Sequence, residues 1–203
     1  MIRSVVKRLA SLPAVFDLLR WILEGGFSGH QSVFENELRD TSGWVLDLGC
    51  GTGQHCRKFV EESYIGLDLS IDYLMAASKS NRSHHWCQAD AMRLPLRDRS
   101  VQRVVVSGLL HHLDDTSVLE VLCEAARILD HGGLLVVWED IPSVVRWNLV
   151  GRLVHRFDLG HHIRRAEGYG ALLSRSFNVI SERRIRSGFM DYAVFVCGPR
   201  LTE

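Results

Sequence analysis

From Trp44 to Trp138 the chain alternates between short, continuous apolar runs and longer stretches with helical spacing of apolar positions. Runs at 44–48, 64–68, 84–88, 101–106 and 133–138 are too short for helices and predict buried strands. The intervening segments at about 54–62, 70–80 and 116–129 predict helices. Strands that are apolar throughout and separated by helices imply a parallel sheet covered on both faces. Such sheets bind ligands at the carboxyl ends of their strands. The rhythm then changes. A helix near 166–176 precedes strands at about 178–185 and 190–197, separated by Ser187-Gly188, which reads as a hairpin. The expected fold class is therefore α/β, a doubly wound seven-stranded sheet, mainly parallel, with a C-terminal antiparallel hairpin.

Two helices are expected ahead of this alternation. Residues 13–24 begin with Pro13 at a helix-entry position and stop at Gly25-Gly26. A shorter one near 30–39 is closed by Asp40-Thr41-Ser42-Gly43. Residues 141–163 contain an amphipathic helix candidate. Val145, Leu149 and Leu153 recur at a spacing of four, with Val144, Trp147 and Phe157 nearby, while Arg146, Arg152 and Arg156 lie elsewhere around it. The organisation predicted is one domain: a helical cap (1–43), a core (44–140), a lid insertion (141–165), and a closing helix and hairpin (166–203).

Composition changes this picture little. Hydrophobic residues at 46% and charged residues at 24% are ordinary for a globular chain, and the formal net charge of zero gives no general pull towards nucleic acid. The charge is unevenly placed, however: residues 41–140 hold 9 basic against 14 acidic residues, and residues 141–203 hold 10 against 5. A basic final third suits an anionic substrate or a lipid headgroup, and equally a solvated arginine-rich surface. Five scattered cysteines without a Cys-x-x-Cys pair fit buried thiols in a reducing, cytoplasmic setting rather than a disulfide framework or a zinc site. No apolar stretch reaches about 18 residues, so no transmembrane helix is expected. The first sixteen residues carry no acid, as in a mitochondrial presequence, but the same segment reads better as the start of a structural helix.

The most specific chemistry lies at Val45-Leu46-Asp47-Leu48-Gly49-Cys50-Gly51-Thr52-Gly53. A buried strand enters three glycines spaced two apart, whose bare backbone can come close to a ligand. Gln54 stands where a dinucleotide fingerprint needs its third glycine, and the Gly-Lys-Ser/Thr of a P-loop is absent. The run closely resembles motif I of class I S-adenosylmethionine (SAM)-dependent methyltransferases, whose fold is a Rossmann-like sheet ending in an antiparallel hairpin. The resemblance is specific over 44–140 and rests on layout alone over 166–197.

The resemblance implies a cofactor, SAM, leaving as S-adenosylhomocysteine, and a set of residues to hold it. Gly49, Gly51 and Gly53 pass close to the methionine portion, with the following helix N-terminus favouring its carboxylate. Asp47 holds the loop and contacts the amino group, directly or through water. Asp68, ending the second strand, accepts from the ribose hydroxyls, since a carboxylate has acceptor sites to spare. Asp90 and the Ala91 amide reach the adenine, which Leu69 and Met92 sandwich. Ser107, ending the fourth strand, completes the set. Taken singly, a strand-end aspartate is more often a helix cap or turn residue; their order, each after a strand, is what carries weight.

The fourth strand runs into Ser107-Gly108-Leu109-Leu110-His111-His112-Leu113. The Asn/Asp-Pro-Pro-aromatic motif of amino-directed enzymes and the Pro-Cys of cytosine-C5 enzymes are both absent there. Together with Glu124-Ala125-Ala126-Arg127-Ile128-Leu129-Asp130-His131-Gly132-Gly133, whose Gly-Gly is expected as a turn, this resembles the small-molecule branch that includes ubiquinone- and menaquinone-biosynthesis enzymes. His111 and His112 are the candidate catalytic bases, each also readable as a loop-bonding or pocket-lining residue. Glu139 and Asp140 are candidates to face the acceptor; Tyr169 and Tyr192 are candidate lining residues with packing as the competing role. His84-His85 and His161-His162 lack a carboxylate or cysteine at ligand spacing, so no metal is predicted. The function expected is methyl transfer to a small, apolar or lipid-like acceptor, oxygen or carbon before nitrogen. Peripheral contact with a membrane is compatible with it, and no nucleic-acid partner is expected. The alternatives are an RNA-modifying enzyme, through Arg183, Arg184 and Arg186 and the lid arginines, and a non-catalytic SAM-binding regulator.

Overall fold

The computed structural model describes residues 13–39, 41–143, 145, 148, 151 and 162–200. Among the described residues seven strands are present: β1 (Val45–Leu48), β2 (Tyr64–Asp68), β3 (His85–Gln88), β4 (Val101–Ser107), β5 (Leu129–Ile141), β6 (Phe177–Ser187) and β7 (Met190–Pro199). They form one sheet in the order β3-β2-β1-β4-β5-β7-β6. The pairs from β3 to β5 are parallel, and β5–β7 and β6–β7 are antiparallel. The strand order reverses between β1 and β4, and a ligand crevice forms at such a switch point.

Among the described residues five α-helices accompany the sheet: α1 (Pro13–Leu23), α2 (Ser28–Asn36), α3 (Ile71–Ser80), α4 (Asp115–Ile128) and α5 (Ala166–Ser176). Helix α4 shows how the pattern writes the element. The Asp114 carboxylate accepts from Ser117 N at 2.8 Å, capping the first turn. Val118, Val121, Leu122, Ala125 and Ile128 then bury one stripe. That stripe packs, with α5, on Leu46, Leu48, Val104, Val106 and Val137. The opposite face carries Val45, Val105, Val136, Trp138 and Val194, covered by Val33, Phe34 and Leu38. β1 thus alternates, Leu46 and Leu48 facing one layer, Val45 and Asp47 the other.

Two local expectations fail. No α-helix spans 54–62. Turns at 51–55 lead into a 3-10 turn at Cys56–Lys58, and another follows at Glu61–Ser63. Gly53 at φ +72° and extended backbone at Phe59 and Val60 interrupt any helical run. Tertiary packing decides this: Phe59 lies against the rings of Phe34 and Tyr64, and Cys56 is sealed under α2, which covers this part of the sheet. Helical periodicity was a weak guide where another element fills the same face. Nor does Gly132-Gly133 form a turn between α4 and a strand. β5 begins at Leu129, and the register jumps from Val101↔Leu129 to Arg103↔Leu134, so both glycines sit in a bulge of β5. The hairpin closes as predicted, with Ser187 paired to Met190 around a two-residue loop that opens on Gly188 at φ +56°. Most of the lid insertion lies outside the described residues.

Candidate active site

The loop after β1 is held at both ends by β2. Gly49 N and Cys50 N donate to Leu67 O at 2.8 and 3.0 Å. Gly51 N donates to Asp68 Oδ2 at 2.9 Å, and Ser70 N to Asp68 Oδ1 at 2.8 Å. Gly49, Gly51 and Gly53 all adopt positive φ. They differ in surroundings. A Cβ on Gly53 would meet the Trp86 ring at 2.5 Å, and one on Gly49 would touch Leu109 at 3.0 Å, whereas one on Gly51 would find nothing within 4 Å. Gly51 is therefore the glycine with open space in front of its backbone, as a ligand cradle requires.

Asp68 is half-buried, and its two backbone bonds leave acceptor capacity for a diol. Ala89 N donates to Asp68 O and Gln88 Nε2 to Leu69 O, which sets the ends of β2 and β3 side by side. Leu69 and Asp90 are exposed, and Ala91 and Met92 half-buried. The Asp90 carboxylate closes a turn, accepting from Met92 N at 2.9 Å. Ser107 is half-buried at the end of β4, in register with Trp138. These residues fit SAM: a cradle at Gly51, an acid at the end of β2, and an apolar pair beyond β2 and β3.

Asp47, expected to hold the loop and contact the amino group directly or through water, has a partner within the protein. Its side chain, in the layer of Val45, is buried and accepts from the Tyr64 hydroxyl at 2.7 Å. Burial pushes its carboxyl up to about 7, with Asp68 adding to the shift and Tyr64 opposing it. The expected contribution of a helix N-terminus after Gly53 also falls away, because no helix begins there.

The N-terminal cap reaches this loop. Thr52 Oγ1 donates to Asp17 Oδ1 at 2.7 Å, placing α1 beside the glycines. The polar positions of α1 turn inward, and Leu18, Leu19, Trp21 and Ile22 are exposed. Arg20 pairs with Glu24 at 2.6 Å, and Glu24 with His30 Nε2 at 2.9 Å. Burial alone would raise the Glu24 carboxyl, but Arg20 and His30 together hold it down to about 2. His30 lies 3.3 Å from His55, whose ring burial and the neighbouring His30 keep well below the usual imidazole range.

At the reacting end, the two histidines part company. His111 is buried and His112 exposed, their rings 4.1 Å apart. Glu139, fully buried, does not open towards an acceptor. Its Oε1 accepts from Leu109 N at 2.8 Å and Leu110 N at 2.7 Å; its Oε2 accepts from His111 N at 3.4 Å and lies 2.7 Å from His111 Nδ1. The carbonyls of the same loop are met from the other side. Arg164 donates to Leu110 O and Leu113 O at 2.9 and 2.8 Å, and His162 N to His111 O at 3.0 Å. Sequence reasoning missed Arg164 altogether; only its position just before α5 set it apart. Asp140 is buried on the opposite layer from Glu139. Tyr169 is buried, its hydroxyl donating to Asp140 O at 3.3 Å, and Tyr192 packs edge-on against His30. Among the described residues no group of three His, Cys, Asp or Glu could hold a metal ion, and no helix is long and apolar enough to cross a membrane.

Residues 45–133 match the family model described as a methyltransferase domain. The solved structure of geranyl diphosphate C-methyltransferase from Streptomyces coelicolor A3(2), in complex with Mg2+, geranyl diphosphate and S-adenosyl-L-homocysteine, superposes with a TM-score of 0.64 at 14% identity, covering 84% of this chain and 80% of that one. The fold is that of the class I SAM-dependent methyltransferases. Residues 45–133 carry the sequence pattern of a methyltransferase domain. Among curated relatives, a demethylmenaquinone methyltransferase from Thermotoga maritima is 32% identical over 133 residues, 63% of this chain and 57% of that protein. A probable tRNA methyltransferase 9B from Mus musculus is 28% identical over 134 residues, 58% of this chain and 30% of that protein. The chain spans about a third to somewhat over half the length of four curated relatives it matches.

Proposed function

We propose that the protein transfers the methyl group of SAM to a small acceptor with an apolar or lipid-like body, at oxygen or carbon. The observation that carries this reading is the pairing of an open glycine cradle at Gly51 with the Asp68 carboxylate, 2.9 Å apart at the switch point of the sheet. When bound, SAM supplies an already activated methyl group on a sulfonium. The protein's share is then to align the acceptor, an effect worth about 7–11 kcal/mol in well-oriented systems. In this reading Gly49, Gly51 and Gly53 pass the methionine portion, Asp68 holds the ribose, and Asp90, Ala91, Leu69 and Met92 hold the adenine. Ser107 and the loop beyond it border the transferred methyl group, with His111 and His112 as candidate bases. Asp47 supports the loop from behind, through Tyr64, rather than touching the amino group. Likeness to a demethylmenaquinone methyltransferase supports an apolar acceptor.

Likeness to a probable tRNA methyltransferase keeps an RNA acceptor as the second reading. Arg183 counts against it: its guanidinium is spent on Glu37 at 2.6 and 2.7 Å and on Ser32, and Arg186 is paired with Asp191. Calorimetric titration of SAM and S-adenosylhomocysteine into wild type and Asp68→Ala tests the cofactor assignment. Incorporation of labelled methyl into quinol, phenol and carboxylic-acid panels, against bulk tRNA, tests the acceptor class. Methylation of tRNA alone would replace the small-acceptor reading.

A further inference from the structure

Helix α1 turns its apolar side outward. Its polar residues face the protein: Asp17 accepts from Thr52, and Glu24 pairs with both Arg20 and His30. Leu18, Leu19, Trp21 and Ile22 share the opposite arc of the helix, each between 48% and 59% exposed. The helix cannot roll to hide them, because both of its ends are bonded. Near the start, Asp17 is tied to the loop after β1. At the end, Leu23 O accepts from Phe189 N at 2.8 Å, and Glu24 O from Ser187 Oγ at 2.7 Å. These two partners flank the turn between β6 and β7, which stands beside Ile141 at the carboxyl end of β5. α1 therefore lies across the carboxyl ends of the strands, the end at which a ligand crevice forms. Phe189, 46% exposed, adds a fifth apolar side chain beside the end of the helix.

The charge that accompanies this face has one sign. Within residues 1–24 the acids are Asp17 and Glu24, both bonded inside the protein. Besides Arg20, which pairs with Glu24, the remaining charges are Arg3, Lys7 and Arg8, just ahead of the helix in the sequence. An apolar, tryptophan-bearing helix face next to cations without acids matches a bilayer interface with anionic headgroups. A second copy of the chain fits less well, since a symmetric contact through α1 would bring two basic flanks to one seam.

We propose that the outer face of α1, with Phe189, seats on the surface of an anionic phospholipid bilayer. The apolar side chains enter the headgroup boundary, the preceding cations meet the lipid anions, and the carboxyl end of the sheet is turned to the lipid. This binding needs no cofactor, so it goes beyond the methyltransferase reading and stands or falls apart from it.

Flotation of the full chain, without SAM, on vesicles of phosphatidylcholine and phosphatidylserine tests the proposal. Wild type should float with them, and do so more weakly on phosphatidylcholine alone or at high salt. Leu18→Glu combined with Ile22→Glu should lower partitioning by about tenfold or more. Replacing Arg3, Lys7 and Arg8 with Gln should cost about fivefold for each cation removed. Val60→Glu, at an exposed apolar residue ahead of β2 and so at the opposite end of the sheet, should bind like wild type. Bromine-labelled lipids should quench wild-type tryptophan emission, and Trp21→Phe should remove most of that quenching, a readout that holds even if the glutamate pair unfolds the protein. Wild type that ignores anionic vesicles, or binds equally well without phosphatidylserine, overturns the proposal. So does binding undiminished in the folded glutamate variant, or quenching unchanged in Trp21→Phe. A wild-type dimer that the glutamate pair dissociates, with no vesicle binding, would assign the face to a second copy instead.

Discussion

The carboxyl halves of β1 and β5 each bury an acid, and the protein treats the two in opposite ways. Asp47 on β1 has, among the described residues, one donor, the Tyr64 hydroxyl, and a second acid nearby. Glu139 on β5 has three backbone amides and an imidazole. A buried carboxylate without enough donors takes up a proton, while one surrounded by fixed N–H groups keeps its charge and orders what donates to it. The β1 acid is therefore a soft support beside the glycine loop, and the β5 acid is the rigid centre of the loop after β4. The same functional group, a carboxyl, at the same end of the sheet has two roles, set by the number of donors.

The comparison breaks most sharply at Glu139. Replacing it with Leu leaves the Leu109 and Leu110 amides buried without acceptors, and should cost about 3–5 kcal/mol, read from the urea midpoint. A loss below about 1 kcal/mol would mean that water replaces the carboxylate and the loop is not organised around it. Asp47 should behave differently. Its folded pKa of about 7 lies above its ordinary value of 3.8, so the folded state holds the proton more tightly. Its contribution to stability is complete below about pH 4 and is lost as pH rises through 7. Asp47→Asn keeps an acceptor for Tyr64 and removes the titration. Relative to wild type, the variant should gain about 2–3 kcal/mol between pH 5 and pH 8, measured by denaturant unfolding at each pH. Equal pH profiles would show Asp47 already ionised when folded.

Smaller effects sharpen the cofactor side. Asp68→Ala should weaken SAM by ~1–3 kcal/mol in calorimetry, the worth of charge-assisted hydrogen bonds, after correction for any loss of fold. Unchanged affinity would remove Asp68 from the ribose. The mildest is Gly51→Ala. Its φ of +55° strains an alanine by about 1–2 kcal/mol, but its Cβ meets no protein atom, so the protein should fold and yet bind SAM poorly. Gly53→Ala, whose Cβ would run into Trp86, should lose stability first. If both variants bind SAM like wild type, the cradle lies elsewhere.

Much of the frame around the glycine loop was legible from local signals. A buried run, glycines at fixed spacing and strand-end acids are short-range features, so their order along the chain survives folding. β2 appears at the predicted residues, and the hairpin turns at Gly188-Phe189. The acceptor side was not legible. Nothing in the run Trp138-Glu139-Asp140 says which acid turns to which layer, because an antiparallel partner and a bulged register decide it. The bond between His111 and Glu139 spans 28 residues, and that between Arg164 and Leu110 spans 54.

The sequence by itself determined the α/β class, the parallel core with its closing hairpin, and the place of the glycine loop after β1. These follow from periodicity and backbone sterics, which act over a few neighbours. Only the tertiary structure decided that 54–62 would not be helical, that Asp47 would face Tyr64, and that Glu139 would hold His111. Each of those outcomes depends on which distant group competes for the same volume or the same hydrogen bond, and pairing of that kind is written in packing rather than in spacing.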